Sequence, residues 1–239
     1  TAWSEWFLVD LVGHPNEQLA RYGDALGRMM GARVPATTPS GWCSWYYFYT
    51  TVTEDDVVRN LHFLEHHRRE IPVETVQIDD GYQADIGDWL TVNEKFPHGM
   101  QWLASEIKRA GYTPGLWLAP FLLSPTSKTF AEHPEFVIRD DAGHPVFAIQ
   151  NWGHDNYGLD GTHPGAQAWL EDLFRHVCDG WGYDYVKIDF LYAAALAGRR
   201  HDPSATRIRA YHAALDAVRR GVGDGRFILG CGSLMAPSV

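Results

Sequence analysis

Short apolar runs alternate with helical apolar stripes along most of the chain. Residues 16–31 place Leu19, Tyr22, Ala25, Leu26, Met29 and Met30 at helical spacing, which predicts an amphipathic helix. Pro35, Pro39 and Gly41 then punctuate a linker. The aromatic run at 42–49 predicts a strand. Thr53 and Asp56 predict a capping box that opens a helix carrying Val57, Val58, Leu61 and Leu64. Residues 74–80 predict a second strand, 99–110 a helix closed by Gly111, and 112–120 a third strand. Residues 121–156 exceed a simple connection and are expected to hold a hairpin, 136–139 with 145–149, around Asp141-Ala142-Gly143. Beyond it the pattern predicts a short fourth strand at 157–160 and a helix over 164–180. A fifth strand follows over 182–190, then a helix over 204–220 and a sixth strand at 227–230.

Strand and helix alternating through short joins predict an α/β fold, with a parallel sheet and helical crossovers. A closed (β/α)8 barrel and an open doubly wound sheet share that rhythm. Two features favour the TIM-type barrel. No Gly-rich phosphate turn follows the first strand. Polar residues instead stand at the C-terminal ends of several strands: Asp79, Asp80, Trp117, Asp160, Lys187 and Asp189. About six βα units are readable, so the barrel is expected to be truncated at its C-terminus. Residues 1–13, with Trp3, Trp6, Phe7, Leu8 and Val9, predict a strand that has no neighbour and would close a preceding module. A domain boundary is expected near residue 38.

Composition narrows the partners. The 239 residues are 45% hydrophobic, as in a water-soluble globular protein. Net charge is −10 with no Lys/Arg block, which argues against nucleic acid. No run of about 20 apolar residues exists to span a membrane, and no secretory signal opens the chain. Cys43, Cys178 and Cys231 are odd in number and widely spaced, giving neither a disulfide framework nor a zinc pattern. That usage fits a reducing compartment, and a cytoplasmic location is expected. Ten tryptophans can fill a core or stack on sugars.

The candidate chemistry concentrates in a few stretches. In Tyr185-Val186-Lys187-Ile188-Asp189-Phe190, two charges interrupt a buried strand and leave it on one face. They read either as a structural ion pair or as a nucleophile, Asp189, supported by Lys187. Gln77-Ile78-Asp79-Asp80-Gly81-Tyr82 ends another strand. Its two carboxylates suit paired sugar hydroxyls or a divalent cation, provided the chain turns at Asp80, and the alternative is a plain turn. Alternating Asp/Asn calcium-loop spacing is absent, so neither a metal nor another cofactor is expected. Trp117 is a pocket wall or a core residue. Cys231, between two glycines, reads as a pocket wall. His62 and His66 lack the Glu of a metalloprotease motif, and no Gly-x-Ser-x-Gly elbow occurs.

Six stretches together resemble the catalytic barrel of glycoside hydrolase family 36, the bacterial α-galactosidases. They are Gly41-Trp42-Cys43-Ser44-Trp45-Tyr46, Gln77-Ile78-Asp79-Asp80-Gly81-Tyr82, Ile86-Gly87-Asp88-Trp89, Gly115-Leu116-Trp117 with Ala119-Pro120-Phe121, Val186-Lys187-Ile188-Asp189-Phe190, and Ile228-Leu229-Gly230-Cys231-Gly232-Ser233. The resemblance implies that 1–37 end an upstream β-sandwich domain with a linker helix, and that 38–239 form an incomplete barrel. It implies a retaining α-galactosidase acting on α-galactoside oligosaccharides. Asp189 would be the nucleophile and Asp79 and Asp80 would hold the galactose hydroxyls. Trp45, Tyr46 and Trp117 would line the pocket, Lys187 would contact the sugar, and Cys231 would sit near its 2-position. The family's acid/base lies in an Arg-Ile-Gly-Pro-Asp-like stretch that this chain lacks, so the 239 residues are expected to be inactive alone. An Arg that some members carry before the fourth strand is missing from Gln150-Asn151-Trp152-Gly153-His154-Asp155. Related readings are an α-N-acetylgalactosaminidase, a galactosyl transglycosylase, a non-catalytic carbohydrate-binding barrel, or a metal-dependent barrel hydrolase using Asp79, Asp80 and Asp160. Homo-oligomerisation of the full-length protein is compatible with each.

Overall fold

The structure, a computed structural model, describes residues 9, 11 and 13–238. The strand expected over 1–13 lies almost wholly outside the described residues. The chain divides into two compact units, 1–38 with 238–239, and 39–237. In the first, helix α1 (Pro15–Met30) is capped by the His14 side chain and ends at Gly31 in the left-handed conformation, φ 66°.

The second unit begins with β1 (Gly41–Cys43), which is shorter than the aromatic run suggested. Residues expected to extend it form a helical turn instead, α2 (Trp45–Phe48). Ser44, at the turn between them, is buried and accepts from the Asp79 amide at 2.9 Å, which ties the turn to the end of the next strand. Helix α3 (Glu54–His66) opens with the expected capping box: Asp56 N donates to Thr53 Oγ1, and Thr53 N to Asp56 Oδ2. There follow β2 (Thr75–Ile78), α4 (Gly99–Arg109) and β3 (Thr113–Leu118). A long excursion then holds β4 (Leu122–Leu123), α5 (Lys128–Glu132), β5 (Phe147–Asn151) and β6 (His154–Gly158). The chain returns through α6 (Pro164–Arg175), β7 (Tyr185–Ile188), α7 (Arg207–Val222) and β8 (Phe227–Gly230).

Five parallel strands form the main sheet, in the order β1-β2-β3-β7-β8. The expected fourth parallel strand is not among them. Residues around 157 belong to β6, which pairs antiparallel with β4 and β5 in a separate sheet. Its sequence, His-Asp-Asn-Tyr-Gly, is too polar for a strand buried on both faces. β3 therefore bonds directly to β7, Trp117 opposite Lys187. The Lys187/Asp189 strand is fourth in the sheet rather than fifth, and among the described residues five parallel strands are present rather than six.

The register aligns the faces of all five strands. Val76, Ile78, Leu116, Leu118, Val186 and Ile188 are buried on one face. They form one core with Val57 and Leu61 of α3, Leu103 and Ile107 of α4, Leu170 and Phe174 of α6, and Val218 of α7. The other face carries Cys43, Gln77, Trp117, Tyr185, Lys187 and Leu229. Leu116→Ala is expected to cost about 2–5 kcal/mol, and Thr53→Ala, which removes one cap, about 1 kcal/mol. Urea unfolding of the two variants checks the difference, and equal losses would contradict this assignment of core and cap.

Candidate active site

The polar residues collect where the parallel strands end. Asp79 follows β2 and is 2% exposed. Its Oδ2 accepts from Lys187 Nζ at 2.9 Å and Gln77 Nε2 at 2.6 Å, and its Oδ1 from the Asp80 amide at 3.0 Å. Burial works against the Lys187 ammonium, but the hydrogen bond and charge of Asp79 outweigh it and hold its pKa above the ordinary lysine value. The ion pair therefore exists, but its carboxylate is Asp79 at the end of β2, two strands away across β3. Asp189, the expected partner, adds only a weaker attraction.

The chain turns after Asp80, as required for that carboxylate to leave the strand face. Gly81 has φ 128°, and a Cβ there would lie 2.7 Å from the Thr50 carbonyl oxygen. Asp80 is also 2% exposed, and Gln83 Nε2 and Trp152 Nε1 each donate to it at 2.6 Å, one per oxygen. Burial raises its pKa, and these two donors offset part of the rise. Lys95 and Trp152 border a cavity of about 310 Å³ beside Asp80.

Asp189 stands just past β7 and is half-buried. Trp117 Nε1 donates to its Oδ2 at 3.1 Å and the Phe190 amide to its Oδ1 at 2.8 Å. Phe190 has φ 54°, a conformation rare for a bulky residue, at the turn that presents Asp189. The Cys231 thiol bonds to Asp189 as well, and burial followed by that contact pushes its pKa up. Cys43 rises to about 11, first through burial and then through Asp79. Neither thiol is poised as a nucleophile.

Cys43, Gln77, Lys187, Cys231 and Tyr46 line a groove of about 280 Å³ over the polar face of the sheet. Trp45 does not figure among the described residues lining it, and its ring instead meets Tyr49 edge-on at 5.2 Å. Tyr46 reaches the groove but is 80% exposed. Asp160 stands apart, accepting from Thr162 and from the His201 amide in a loop contact. Among the described residues, no three His, Cys, Asp or Glu side chains come together in a way that could hold a metal.

Sequence reasoning missed Trp152, Gln77 and Gln83. Gln77 was within reach, since alternation puts it two residues before Asp79 on the sheet face that also carries Lys187. Trp152 was not, because it arrives from a hairpin 72 residues away from Asp80.

A sequence profile described as Melibiase matches residues 41–222, and the chain belongs to that family. An α-galactosidase of Escherichia coli is 28% identical over 155 residues, covering 62% of this chain and 21% of that protein. An "A type blood alpha-D-galactosamine galactosaminidase" of Flavonifractor plautii is 29% identical over 182 residues, covering 71% of this chain and 16% of its own length. The structure of Thermus thermophilus α-galactosidase in complex with stachyose matches with a TM-score of 0.77 and 38% identity, over 90% of this chain and 45% of that one. A family 36 α-galactosidase from Geobacillus stearothermophilus shares the fold at 20% identity and a TM-score of 0.62. The chain thus spans less than half the length of each of these relatives.

Lys187→Met leaves Asp79 buried without its cation and is expected to cost about 3–5 kcal/mol. The folded Lys187 pKa is raised, so the pair's contribution is fully present below the ordinary lysine value and is lost as pH climbs through the folded value. The stability gap between wild type and Lys187→Met should be flat from about pH 6 to 9. A gap that closes within that range in urea titrations would contradict the pairing.

Proposed function

We propose that this chain is the catalytic-barrel part of a retaining α-galactosidase, with Asp189 as its nucleophile. One observation carries the reading. In a melibiase-family chain, Asp79, Asp80, Trp117, Lys187, Asp189 and Cys231 converge at one end of a parallel sheet. The barrel itself is favoured by strand order. The five strands follow chain order without a reversal, and right-handed crossovers then put every helix on the same face. A doubly wound sheet needs a reversal to cover both faces. Residues 1–37 are read as the end of a preceding β-sandwich with its linker helix.

In the proposed reaction, Asp189 attacks the anomeric carbon while the glycosidic C–O bond breaks and the leaving oxygen takes a proton. Water then cleaves the glycosyl ester, returning the carboxylate and releasing galactose with its α configuration. Asp189 suits attack because its donors are neutral, one indole, one backbone amide and one thiol, whereas Asp79 is paired with the Lys187 ammonium. Neither Asp79 nor Asp80 is read as the proton donor. Each is fixed by N–H bonds to both oxygens, and the further lone pairs are left for hydroxyl donors. They serve instead as acceptors for galactose hydroxyls, with Lys187 and Cys231 beside them and Trp117 and Tyr46 at the walls. Trp45 keeps that role only if its ring leaves Tyr49. The acid/base is then supplied from outside these 239 residues, and no cofactor is invoked.

The Flavonifractor relative favours a second reading, cleavage of 2-amino or 2-acetamido galactosides. The ratio of kcat/KM on the p-nitrophenyl galactoside and galactosaminide separates the two.

In the enzyme carrying this chain, Asp189→Ala should lose about 10⁴-fold or more in kcat. Azide should restore part of the turnover and yield β-galactosyl azide, while retained activity would remove Asp189 from the role. The 239 residues alone should show no measurable turnover, and robust hydrolysis by them would overturn the assignment of the proton donor.

A further inference from the structure

Trp152 occupies an unusual place for its size. β5 and β6 are joined by a two-residue turn, Trp152-Gly153, closed by the Asn151–His154 pair. Both turn residues have positive φ, 54° and 81°. That is the type I′ geometry of tight hairpins, whose first position favours Asn, Asp or Gly. A tryptophan there is strained, and strain of this kind persists only where surrounding contacts hold it.

The contacts all lead to the candidate site. The indole N–H donates to Asp80 Oδ2 at 2.6 Å. Its ring meets Phe190 edge-on at 5.6 Å and lies 6.3 Å from Trp117. Phe190 follows Asp189 in the chain, and Trp117 is hydrogen-bonded to Asp189. Trp152 thus touches one carboxylate directly and the two aromatic neighbours of the other.

From this geometry we infer that Trp152 is a positioning residue for sugar binding, its indole N–H fixing the Asp80 carboxylate and its ring holding the aromatic wall between Asp80 and Asp189. The inference rests on the galactosidase reading. A neutral donor suits the task. It fixes one oxygen of Asp80 without cancelling the charge, which stays available for charge-assisted bonds to sugar hydroxyls. The charged groups acting on Asp80 are Asp79 and Lys95, while Asp85 and His154 line the cavity beside it. Lys95 is itself engaged with the Thr50 carbonyl. Gln83 holds the other Asp80 oxygen, and Trp152 brings the β5–β6 hairpin into hydrogen-bond contact with Asp80.

The test uses the enzyme carrying this chain and p-nitrophenyl α-galactoside. Trp152→Phe keeps a ring and deletes the N–H. KM is expected to rise about tenfold, the loss of one hydrogen bond to a charged group, with kcat within about threefold of wild type. The acid limb of kcat/KM should move to higher pH. The Trp152 hydrogen bond favours ionised Asp80, so its removal lets Asp80 take up a proton at a higher pH. Trp152→His returns a ring N–H and should recover part of both effects. It also serves the comparison if Trp152→Phe does not fold. A folded variant without the N–H whose KM and acid limb match wild type overturns the inference, as does loss of kcat with KM unchanged. Wild type that turns over no α-galactoside or galactosaminide defeats the functional reading itself, which is a separate outcome.

Discussion

A lysine ammonium and an aspartate carboxylate, 2.9 Å apart across two strand ends, organise the polar face of the sheet. Lys187 and Asp79 are both largely buried there, at 12% and 2% side-chain exposure. Burying either charge alone would cost several kcal/mol, roughly, and their attraction offsets this only with good geometry and further hydrogen bonds. Gln77 and the Asp80 amide supply those bonds. Because Asp79 absorbs the ammonium, Asp189 is left with weaker partners: one indole, one backbone amide and one thiol. Two carboxylates similar in sequence thereby acquire different chemistry. One is paired with a cation, and the other holds only neutral donors.

The backbone contributes strain at the same place. Phe190 and Trp152 both hold positive φ, and their rings pack edge-on against each other. Each unfavourable turn presents a functional group, the Asp189 carboxylate in one case and the Trp152 indole in the other. Neither turn would persist without the neighbour's packing. The excursion between β3 and β7 delivers Trp152 to the strand ends, and a shorter crossover would have no hairpin to carry it.

Much of this was legible in the sequence because it is local. The capping box at Thr53 and Asp56, the glycine turn after Asp80 and the apolar stripes of α3, α4, α6 and α7 follow from spacing alone. What failed was pairing. The short run ending at Asp160 looked like another parallel strand, but β6 bonds to β4 and β5. Aromatic content marked 42–49 as a strand, yet the chain leaves β1 at Cys43 and turns into α2. Alternation put Lys187 and Asp189 on one face correctly, but it could not say that the ammonium reaches across the sheet to Asp79. Trp152 was hidden for the same reason, since its partner is set by how a distant hairpin folds back.

The central claim is that Asp189 forms the glycosyl-enzyme bond. The most direct measurement treats the enzyme carrying this chain with a fluorinated galactosyl donor whose intermediate forms but hydrolyses slowly, then locates the added mass by peptide sequencing in the mass spectrometer. Labelling at Asp189, blocked by excess galactose, is the expected result. Labelling at Asp79, Asp80 or another carboxylate in an enzyme that turns over galactosides would contradict the account.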